Sequence, residues 1–229
     1  MRHELANDEL WLVVHTPKTA GTSFRWALEK HFGKPNVIRD YGPHSPVTSD
    51  VVSRHLYNGE EPQNPGGLVT ELSNGGSRVL IGHFPLLRYA SFFKQERIIT
   101  FVRDPLIRMC SEYLHRTKDG SFTGTFAEFL QRPGYQNMQS KLLSGISAGT
   151  FIGITEHYPK CLQFINRATG WKLSMRKKNV GRRGGGDKFA KNLSAHELNM
   201  FYKMNAEDVE LYRYATRRFA ELESSGSQK

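Results

Sequence analysis

The sequence "LWLVVHTPKTAGTSF" (residues 10–24) joins a short apolar run to a polar loop. The run from Leu10 to Val14 predicts a buried strand, and the loop after it contains a lysine, a glycine and several hydroxyl side chains. The next residues predict a helix that ends at Gly33, because apolar side chains recur at every fourth position. The stretch therefore predicts a strand, loop and helix unit.

The loop predicts an anion-binding site. The first N–H groups of a helix lack intrahelical partners and carry the positive end of its dipole, so phosphate or sulfate binds there readily. Lys18 adds a positive charge, and Thr19, Thr22 and Ser23 add hydroxyl donors. An ordinary capped turn needs no lysine. The nucleotide-binding pattern G-x-x-x-x-G-K-[ST] does not occur in the chain, which disfavours ordinary ATP or GTP hydrolysis.

Length and charge narrow the class of protein. The 229 residues predict one domain, spanning 1–229. Lys and Arg number 32 against 22 Asp and Glu, so the formal charge of +10 favours anionic partners: nucleic acid, a polyanionic cofactor or an acidic glycan. Neither zinc-finger spacing nor an RNA-recognition pattern is present.

The two cysteines and the hydropathy of the sequence predict the cellular location of the protein. Cys110 and Cys161 lie in apolar helical patterns and are expected to be reduced core thiols. The sequence has no apolar signal core and no 18-residue hydrophobic span, so we expect a soluble, cytoplasmic chain with no integral membrane segment. Its oligomeric state is not indicated.

Short apolar runs alternate with helical patterns along the chain. Such runs, buried on both faces, predict an α/β fold with a mostly parallel sheet flanked by helices. The further strand candidates are 36–39, 78–81, 97–102 and 151–154.

Two segments between these elements predict loops. Residues 58–67 form a turn-rich connection, and residues 174–192 are basic and glycine-rich. Composition favours a solvated loop for the second segment over a cover for a polyanion. Ser194 and Glu197 then form a capping box, and two helices are expected to meet near Asn205.

The sequence "IITFVRDPLIRMCSEYLH" (residues 98–115) predicts a second anion site. Arg103 follows a strand, Asp104 can cap the next helix, and Pro105 suits its first position. Ligands gather at the carboxyl ends of parallel strands, so Arg103 is expected beside the first loop, with Ser111 able to donate to the same group. Two such sites imply a ligand with phosphates at two positions.

These two motifs together resemble a known family. "HTPKTAGTSF" is similar to the 5′-phosphosulfate-binding loop, and "RDPLIRMCSEY" to the 3′-phosphate-binding strand and helix, of sulfotransferases that use 3′-phosphoadenosine 5′-phosphosulfate (PAPS). The likeness is greatest to carbohydrate sulfotransferases of the heparan 2-O-sulfotransferase type. It implies a sheet of the P-loop nucleotide-kinase type, the product adenosine 3′,5′-bisphosphate (PAP), no metal and no nucleic-acid partner. The implied acceptor is a hydroxyl, favoured on a glycan, with a lipid or small-molecule alcohol as the alternative.

The resemblance also implies roles for individual residues. Lys18 would act on the leaving-group oxygen, and His83, in "IGHFPL" at 81–86, would be the catalytic base. Gly21 would allow close approach of the backbone to the ligand. The basic loop at 178–189 would cover the 3′-phosphate. The implied cofactor-binding residues are Lys18, Thr19, Ala20, Gly21, Thr22, Ser23, Arg103 and Ser111.

Several alternatives remain open at this point. His15 and His115 are rival bases, although His15 suits a role in orienting the loop better, and Glu112 and Glu156 are acidic options on positions that are usually solvated. Arg108 is expected on the surface or in an ion pair, with contact to the cofactor as the less favoured alternative.

Two other functions compete with the first, and the acceptor site is assigned only by segment. A nucleotide kinase of similar architecture and a non-catalytic nucleic-acid-binding protein are the rivals. Segments 40–66 and 116–137 are the candidates for the acceptor pocket.

Overall fold

The computed structural model describes residues 9–58, 63–175 and 185–226. Its five strands form one sheet in the order β2-β3-β1-β4-β5, and each neighbouring pair is parallel. The predicted α/β fold with a parallel sheet flanked by helices is therefore confirmed. The strands are β1 (Trp11–Val14), β2 (Val37–Asp40), β3 (Val79–Gly82), β4 (Ile98–Val102) and β5 (Phe151–Ile154).

The α-helices begin and end at residues with a clear local reason. Asp104 Oδ1 accepts from the Ile107 N–H at 2.9 Å at the start of one helix, and Gly33, with φ of 84°, ends another. The helices are α1 (Gly21–Phe32), α2 (Asp50–Leu56), α3 (Pro65–Asn74), α4 (Pro105–Lys118), α5 (Phe126–Leu130), α6 (Met138–Leu142), α7 (Tyr158–Thr169), α8 (Gly185–Ala190), α9 (Ala195–Met204) and α10 (Ala206–Gly226).

The core lies on both faces of the sheet. Strand β4 is buried throughout, as a parallel strand covered on two sides should be. A second, smaller apolar cluster packs around the middle of α4 and includes Phe129 and Phe201. Cys110 and Cys161 are buried and free, and burial raises the pKa of each thiol to about 12. The expectation of reduced core thiols is met.

Two predicted loops are partly helical. Helix α3 begins at Pro65, inside the predicted 58–67 connection, because the Asn64 side chain accepts from the Gly67 N–H at 2.8 Å. Helix α8 lies inside the predicted 174–192 loop. There Gly186 allows close backbone contact with α4, since a Cβ would lie 2.8 Å from the Ile107 carbonyl oxygen. Residues 176–184, which carry most of the predicted phosphate-covering loop, lie outside the described residues.

The capping box and the helix boundary near the C-terminal end agree with the prediction. The Ser194 hydroxyl accepts from the Glu197 N–H, and the Glu197 carboxylate accepts from the Ser194 N–H. Asn205 separates α9 from α10. Across the described ranges, no helix is both long and apolar enough to span a membrane.

The register of the sheet aligns the ends of the strands. Val14 pairs with Gly82, and Gly82 pairs with Asp40, so β1, β3 and β2 end level with one another. Val14 pairs with Thr100, two residues before β4 ends. The residues that follow β1, β2, β3 and β4 therefore meet at one edge of the sheet.

Candidate functional site

A cavity of about 790 Å³ opens at this edge, between the ends of β1 and β4. Its volume is in the range of small-molecule sites. The first predicted motif contributes Lys18, Ala20 and Ser23, and the second contributes Arg103 and Ser111. We call it the β1–β4 cavity; its other lining residues are Leu114, His115, Lys118, Thr155, Glu156, Gly185, Gly186 and Asp187.

The loop after β1 has an unusual backbone. Lys18 and Ala20 adopt left-handed conformations, with φ of 68° and 65°, although neither is glycine. The Thr19 hydroxyl donates to the Thr16 carbonyl oxygen at 2.7 Å, and Thr19 is buried. This contact differs from the predicted role of the Thr19 hydroxyl as a ligand donor, because its proton is used inside the loop.

The predicted loop residues do not all line the cavity. Thr22 is exposed and, like Gly21, is not part of the cavity wall. Gly21 has a steric role inside the protein, because a Cβ there would lie 1.8 Å from Cδ2 of His15. The glycine makes room for an imidazole of the protein itself.

Arg103 is fixed by its backbone more firmly than by its side chain. The buried Gln139 side chain accepts from the Arg103 N–H at 2.9 Å and donates to its carbonyl oxygen at 3.0 Å. Arg103 Nη1 donates to the Lys18 carbonyl oxygen at 3.3 Å. Its guanidinium is 3.9 Å from each of two carboxylates, Glu156 and Asp187. The group is thus held at the cavity wall by long ion pairs.

Positive charge accumulates around Lys18. Burial lowers the pKa of Lys18, Glu112 raises it, and three nearby guanidinium groups lower it further (Arg103, Arg116, Arg108). Within the described ranges no carboxylate lies in salt-bridge distance of the Lys18 ammonium. An anion in the cavity would relieve this repulsion.

Two charged residues of α4 are buried rather than solvated. Glu112 is 4 % exposed and accepts from Arg116 Nε at 2.8 Å. Arg108 is fully buried, and its Nη2 donates only weakly, to the Tyr135 carbonyl oxygen at 3.4 Å and to Met109 Sδ at 3.7 Å. The expectation that Arg108 lies on the surface or in an ion pair is wrong for the described part of the chain, because α4 is packed on this face by the second apolar cluster.

Two of the other candidate bases, His115 and Glu156, lie on the cavity wall. His115 has a half-exposed side chain 3.7 Å from Asp119. Glu156 accepts from the Asp104 N–H at 3.1 Å and contacts the Tyr212 hydroxyl at 3.3 Å, and burial raises its pKa.

His83 is not part of the wall of the β1–β4 cavity and lies in a cluster of three rings. It follows β3 directly, and its ring centroid is 4.4 Å from that of His15 and 4.6 Å from that of Tyr41. Burial of the ring lowers the pKa of His83 to about 4, although one side of the residue stays open to solvent. We call His15, Tyr41 and His83 the ring cluster. Tyr41 was predicted only as part of segment 40–66, although its place directly after a strand was a usable signal.

A buried carboxylate supports this side of the site. Asp40, the last residue of β2, accepts from the Tyr57 hydroxyl at 2.6 Å, the Tyr89 hydroxyl at 2.8 Å and Arg88 Nη1 at 3.1 Å. Its carbonyl oxygen also accepts from the His83 N–H at 2.9 Å. These residues, the Asp40 network, hold the segment after His83 against the sheet. None of these contacts was predicted from the sequence.

The chain has distant likenesses among solved structures. No family model matches it, and no curated protein matches it. A sulfotransferase from Alicyclobacillus acidocaldarius aligns over 91 % of this chain and 100 % of its own, with 14 % identity and a TM-score of 0.46. The mouse sulfotransferase SULT7A1 complexed with PAP aligns over 85 % and 67 %, with 16 % identity and a TM-score of 0.46.

A third solved structure is similar at the same level. Retinol dehydratase, in complex with androsterone and the inactive cofactor PAP, aligns over 90 % of this chain and 66 % of its own, with 16 % identity and a TM-score of 0.43. The functional conclusion therefore rests on the residues of the site.

Proposed function

We propose that this chain, as one domain, transfers the sulfuryl group of PAPS to an acceptor hydroxyl. The observation that carries the proposal is the shared wall of the β1–β4 cavity, where the loop of Lys18 meets Arg103 and Ser111. Two anion-binding elements from separate strands suit one ligand with phosphates at two positions, as PAPS has.

The side chains of the cavity fit such a ligand. Lys18 has no described carboxylate partner. The Arg103 guanidinium reaches its two carboxylates only at 3.9 Å and donates to the Lys18 carbonyl oxygen at 3.3 Å, so both cations retain capacity for an anion. Ser111 adds a hydroxyl to the same wall. Guanidinium and ammonium groups beside hydroxyls and helix N–H groups are the usual partners of phosphate.

The proposed chemistry assigns one task to each reacting residue. PAPS supplies the sulfuryl group and leaves as PAP. Lys18 provides positive charge where a phosphate oxygen becomes more negative, and fixed charges of this kind stabilise a transition state. His83 accepts the proton of the attacking hydroxyl. With its pKa near 4, the imidazole is neutral and able to do so at neutral pH.

We extend the proposal to a carbohydrate acceptor. Its support is the resemblance of the two motifs to the carbohydrate branch, together with the position of Tyr41. This residue lies in the predicted acceptor segment 40–66, and its ring centroid is 4.6 Å from that of His83. A hydroxyl that reaches His83 would pass along this segment.

Calorimetry with PAP tests the donor site, with ATP plus magnesium and duplex DNA as the alternative ligands. We expect PAP to bind with or without a chelator and to raise the melting temperature by mass action. Preference for ATP with magnesium would support a kinase, and salt-sensitive DNA binding without PAP binding would support a nucleic-acid-binding protein.

Transfer is measured with ³⁵S-labelled PAPS and probe acceptors of three classes: the polysaccharide heparosan, the phenol 2-naphthol and a sterol alcohol. Label on heparosan alone would support the glycan acceptor. Label on the phenol or the sterol would reject it while retaining the transfer reaction.

A further inference from the structure

Three rings form a closed group at the edge of the sheet. His15, Tyr41 and His83 each directly follow the last residue of a strand, and the register places these last residues side by side. The ring centroids are 4.4 Å apart for His15 and His83, 4.6 Å for Tyr41 and His83, and 5.6 Å for His15 and Tyr41. Each ring therefore contacts the other two.

His15 is the fixed member of this group. It is 7 % exposed, and its Nδ1 lies 2.9 Å from the Tyr41 hydroxyl. On its other side the ring fills the space where a side chain of Gly21 would be, since a Cβ there would lie 1.8 Å away. A hydrogen bond and a helix backbone thus restrict the same imidazole from two directions.

His83 is held differently. Its N–H donates to the Asp40 carbonyl oxygen, but within the described chain no hydrogen bond is made by its ring. The residue is also exposed. A histidine in this situation would sample several rotamers unless neighbouring side chains restricted it. The two ring contacts are the restraint that the structure offers.

We propose that His15 and Tyr41 are positioning residues that hold the imidazole of His83 toward the acceptor hydroxyl. The proposal rests on the function proposed above, and it assigns the Tyr41 hydroxyl an indirect part, through its bond to His15. His15 is thus a partner of the base rather than a rival for its role.

The charges around the group agree with this assignment. The groups that face His83 are His15 at the end of β1, Asp40 and Tyr41 at the end of β2, Arg25 on α1 and Glu112 on α4. Burial, then His83 and Arg25, lower the pKa of His15 well below its usual value. His15 is therefore neutral at pH 7 and adds no positive charge beside His83 when that ring takes a proton.

The hydroxyl of Tyr41 stays protonated over the same range. Burial is the main cause that raises its pKa to about 12. Because the pKa of His15 is lowered and that of Tyr41 is raised, both groups are neutral around pH 7 and can share one hydrogen bond. The restraint on His83 is then constant where the enzyme would work.

The decisive variant is Tyr41→Phe, which removes the hydroxyl and keeps the ring. Tyr202→Phe, on an exposed position of α9, is the matched control. Long-range ¹H–¹⁵N spectra of the histidine rings between pH 3.5 and 8, assigned with His83→Gln, need no acceptor. We expect one fixed neutral tautomer of His15 in the wild type, and mixed tautomers with altered His83 signals in Tyr41→Phe. Unchanged His83 signals and titration would overturn the proposal.

Transfer and binding separate this proposal from the function on which it rests. With the probe that accepts label from PAPS, Tyr41→Phe should lower kcat by about tenfold, with PAP affinity within twofold of the wild type. His15→Asn, whose side-chain amide can replace Nδ1, should bind PAP equally well if His15 is outside the donor site. Weakened PAP binding in both variants would overturn the positioning role. Failure of the wild type to bind PAP would instead reject the proposed function.

Discussion

The two sides of the site differ in how their polar groups are partnered. In the β1–β4 cavity, Arg103 reaches its carboxylates only at 3.9 Å, and Lys18 has none among the described residues. In the Asp40 network, one fully buried carboxylate accepts three side-chain hydrogen bonds of 2.6 to 3.1 Å.

The difference separates a binding surface from a scaffold. Buried polar groups that satisfy one another hold a structure in one arrangement, whereas cations with weak partners can exchange them for a ligand. We therefore expect variants of the cavity to change ligand affinity with little effect on stability. Variants of the Asp40 network should change stability with little effect on affinity.

The largest expected effect is a loss of turnover when His83 is replaced. His83→Ala should lower transfer from PAPS by about 10²–10⁴-fold, the usual contribution of general base catalysis, while PAP binds normally. The measurement is kcat on the labelled probe acceptor together with calorimetry of PAP.

The pH profile gives the same test a second readout. Because the pKa of His83 is lowered to about 4, the wild-type rate should rise with pH through about 4 and then stay level, and this limb should be absent in His83→Ala. Full activity of His83→Ala at saturating acceptor would move the base to His115 or Glu112.

The second prediction concerns the scaffold side. Asp40→Ala removes a buried carboxylate from two tyrosine hydroxyls and a guanidinium, and should lower the free energy of unfolding by about 3 kcal/mol. PAP affinity of the folded protein should not change. Chemical denaturation measures the first quantity and calorimetry the second.

Glu71→Ala is the matched control for Asp40→Ala. Glu71 also contacts charged groups, Arg54 at 2.9 Å and His55 at 2.7 Å, but its side chain is 45 % exposed. Its loss should cost less than about 1 kcal/mol. Equal losses in the two variants would remove the distinction between scaffold and surface.

The two motifs that meet at the β1–β4 cavity were predictable from sequence because the signals for each are local. Lys18, Ala20 and Ser23 lie within one short stretch, and Asp104 caps α4 three residues from its hydrogen-bond donor, Ile107. Five strands were predicted for the same reason, since each is a short apolar run with a boundary in its own sequence.

The scaffold side was not predictable because its partners are distant. The residues that donate to Asp40 lie 17, 48 and 49 positions away, and Gln139 contacts the backbone of Arg103 from 36 positions away. No spacing rule connects such residues before the fold brings them together. Helix α8 was predicted as part of a loop because its glycines are typical of loops. In the structure, Gly186 instead allows this helix to pack closely on α4.

The third prediction tests the cavity directly. Arg103→Ala should weaken PAP binding by roughly 1.5–3 kcal/mol, the usual value for a charge-assisted hydrogen bond, and should leave the stability of the ligand-free protein almost unchanged. Adenosine 5′-monophosphate, which lacks the 3′-phosphate, should bind both proteins equally. Arg213→Ala, which removes one member of the exposed Arg213–Glu210 ion pair on α10, is the control. Equal losses for both nucleotides would take Arg103 away from the 3′-phosphate.

The fourth prediction concerns the backbone of the loop. Ala20 has φ of 65°, a conformation that costs a residue with a Cβ about 1–2 kcal/mol and costs glycine almost nothing. Allowing for the greater freedom of glycine in the unfolded chain, Ala20→Gly should raise stability by roughly 0.5–1 kcal/mol.

Ala220→Gly is the control for the loop variant. Ala220 is exposed within α10, where glycine should lower stability by about 1 kcal/mol. Thermal unfolding compares the two variants with the wild type. Changes of the same sign would mean that the loop conformation of Ala20 is not under strain.

The smallest expected effect is a gain in affinity in the cavity. The Asp187 carboxylate lies 3.9 Å from Arg103 Nη2, is half exposed, and would repel a phosphate that approaches the same guanidinium. Asp187→Asn should therefore tighten PAP binding by two- to fivefold, the range of an exposed ion pair, and the gain should shrink as salt rises.

Glu210→Gln, which removes a charge from the exposed Glu210–Arg213 ion pair of α10, is the control and should not change PAP binding. Calorimetry at two salt concentrations measures both variants. If PAP instead bound more weakly to Asp187→Asn, the Asp187 carboxylate would be holding Arg103 in its binding orientation. The cavity would then contain a structural ion pair, as the Asp40 network does.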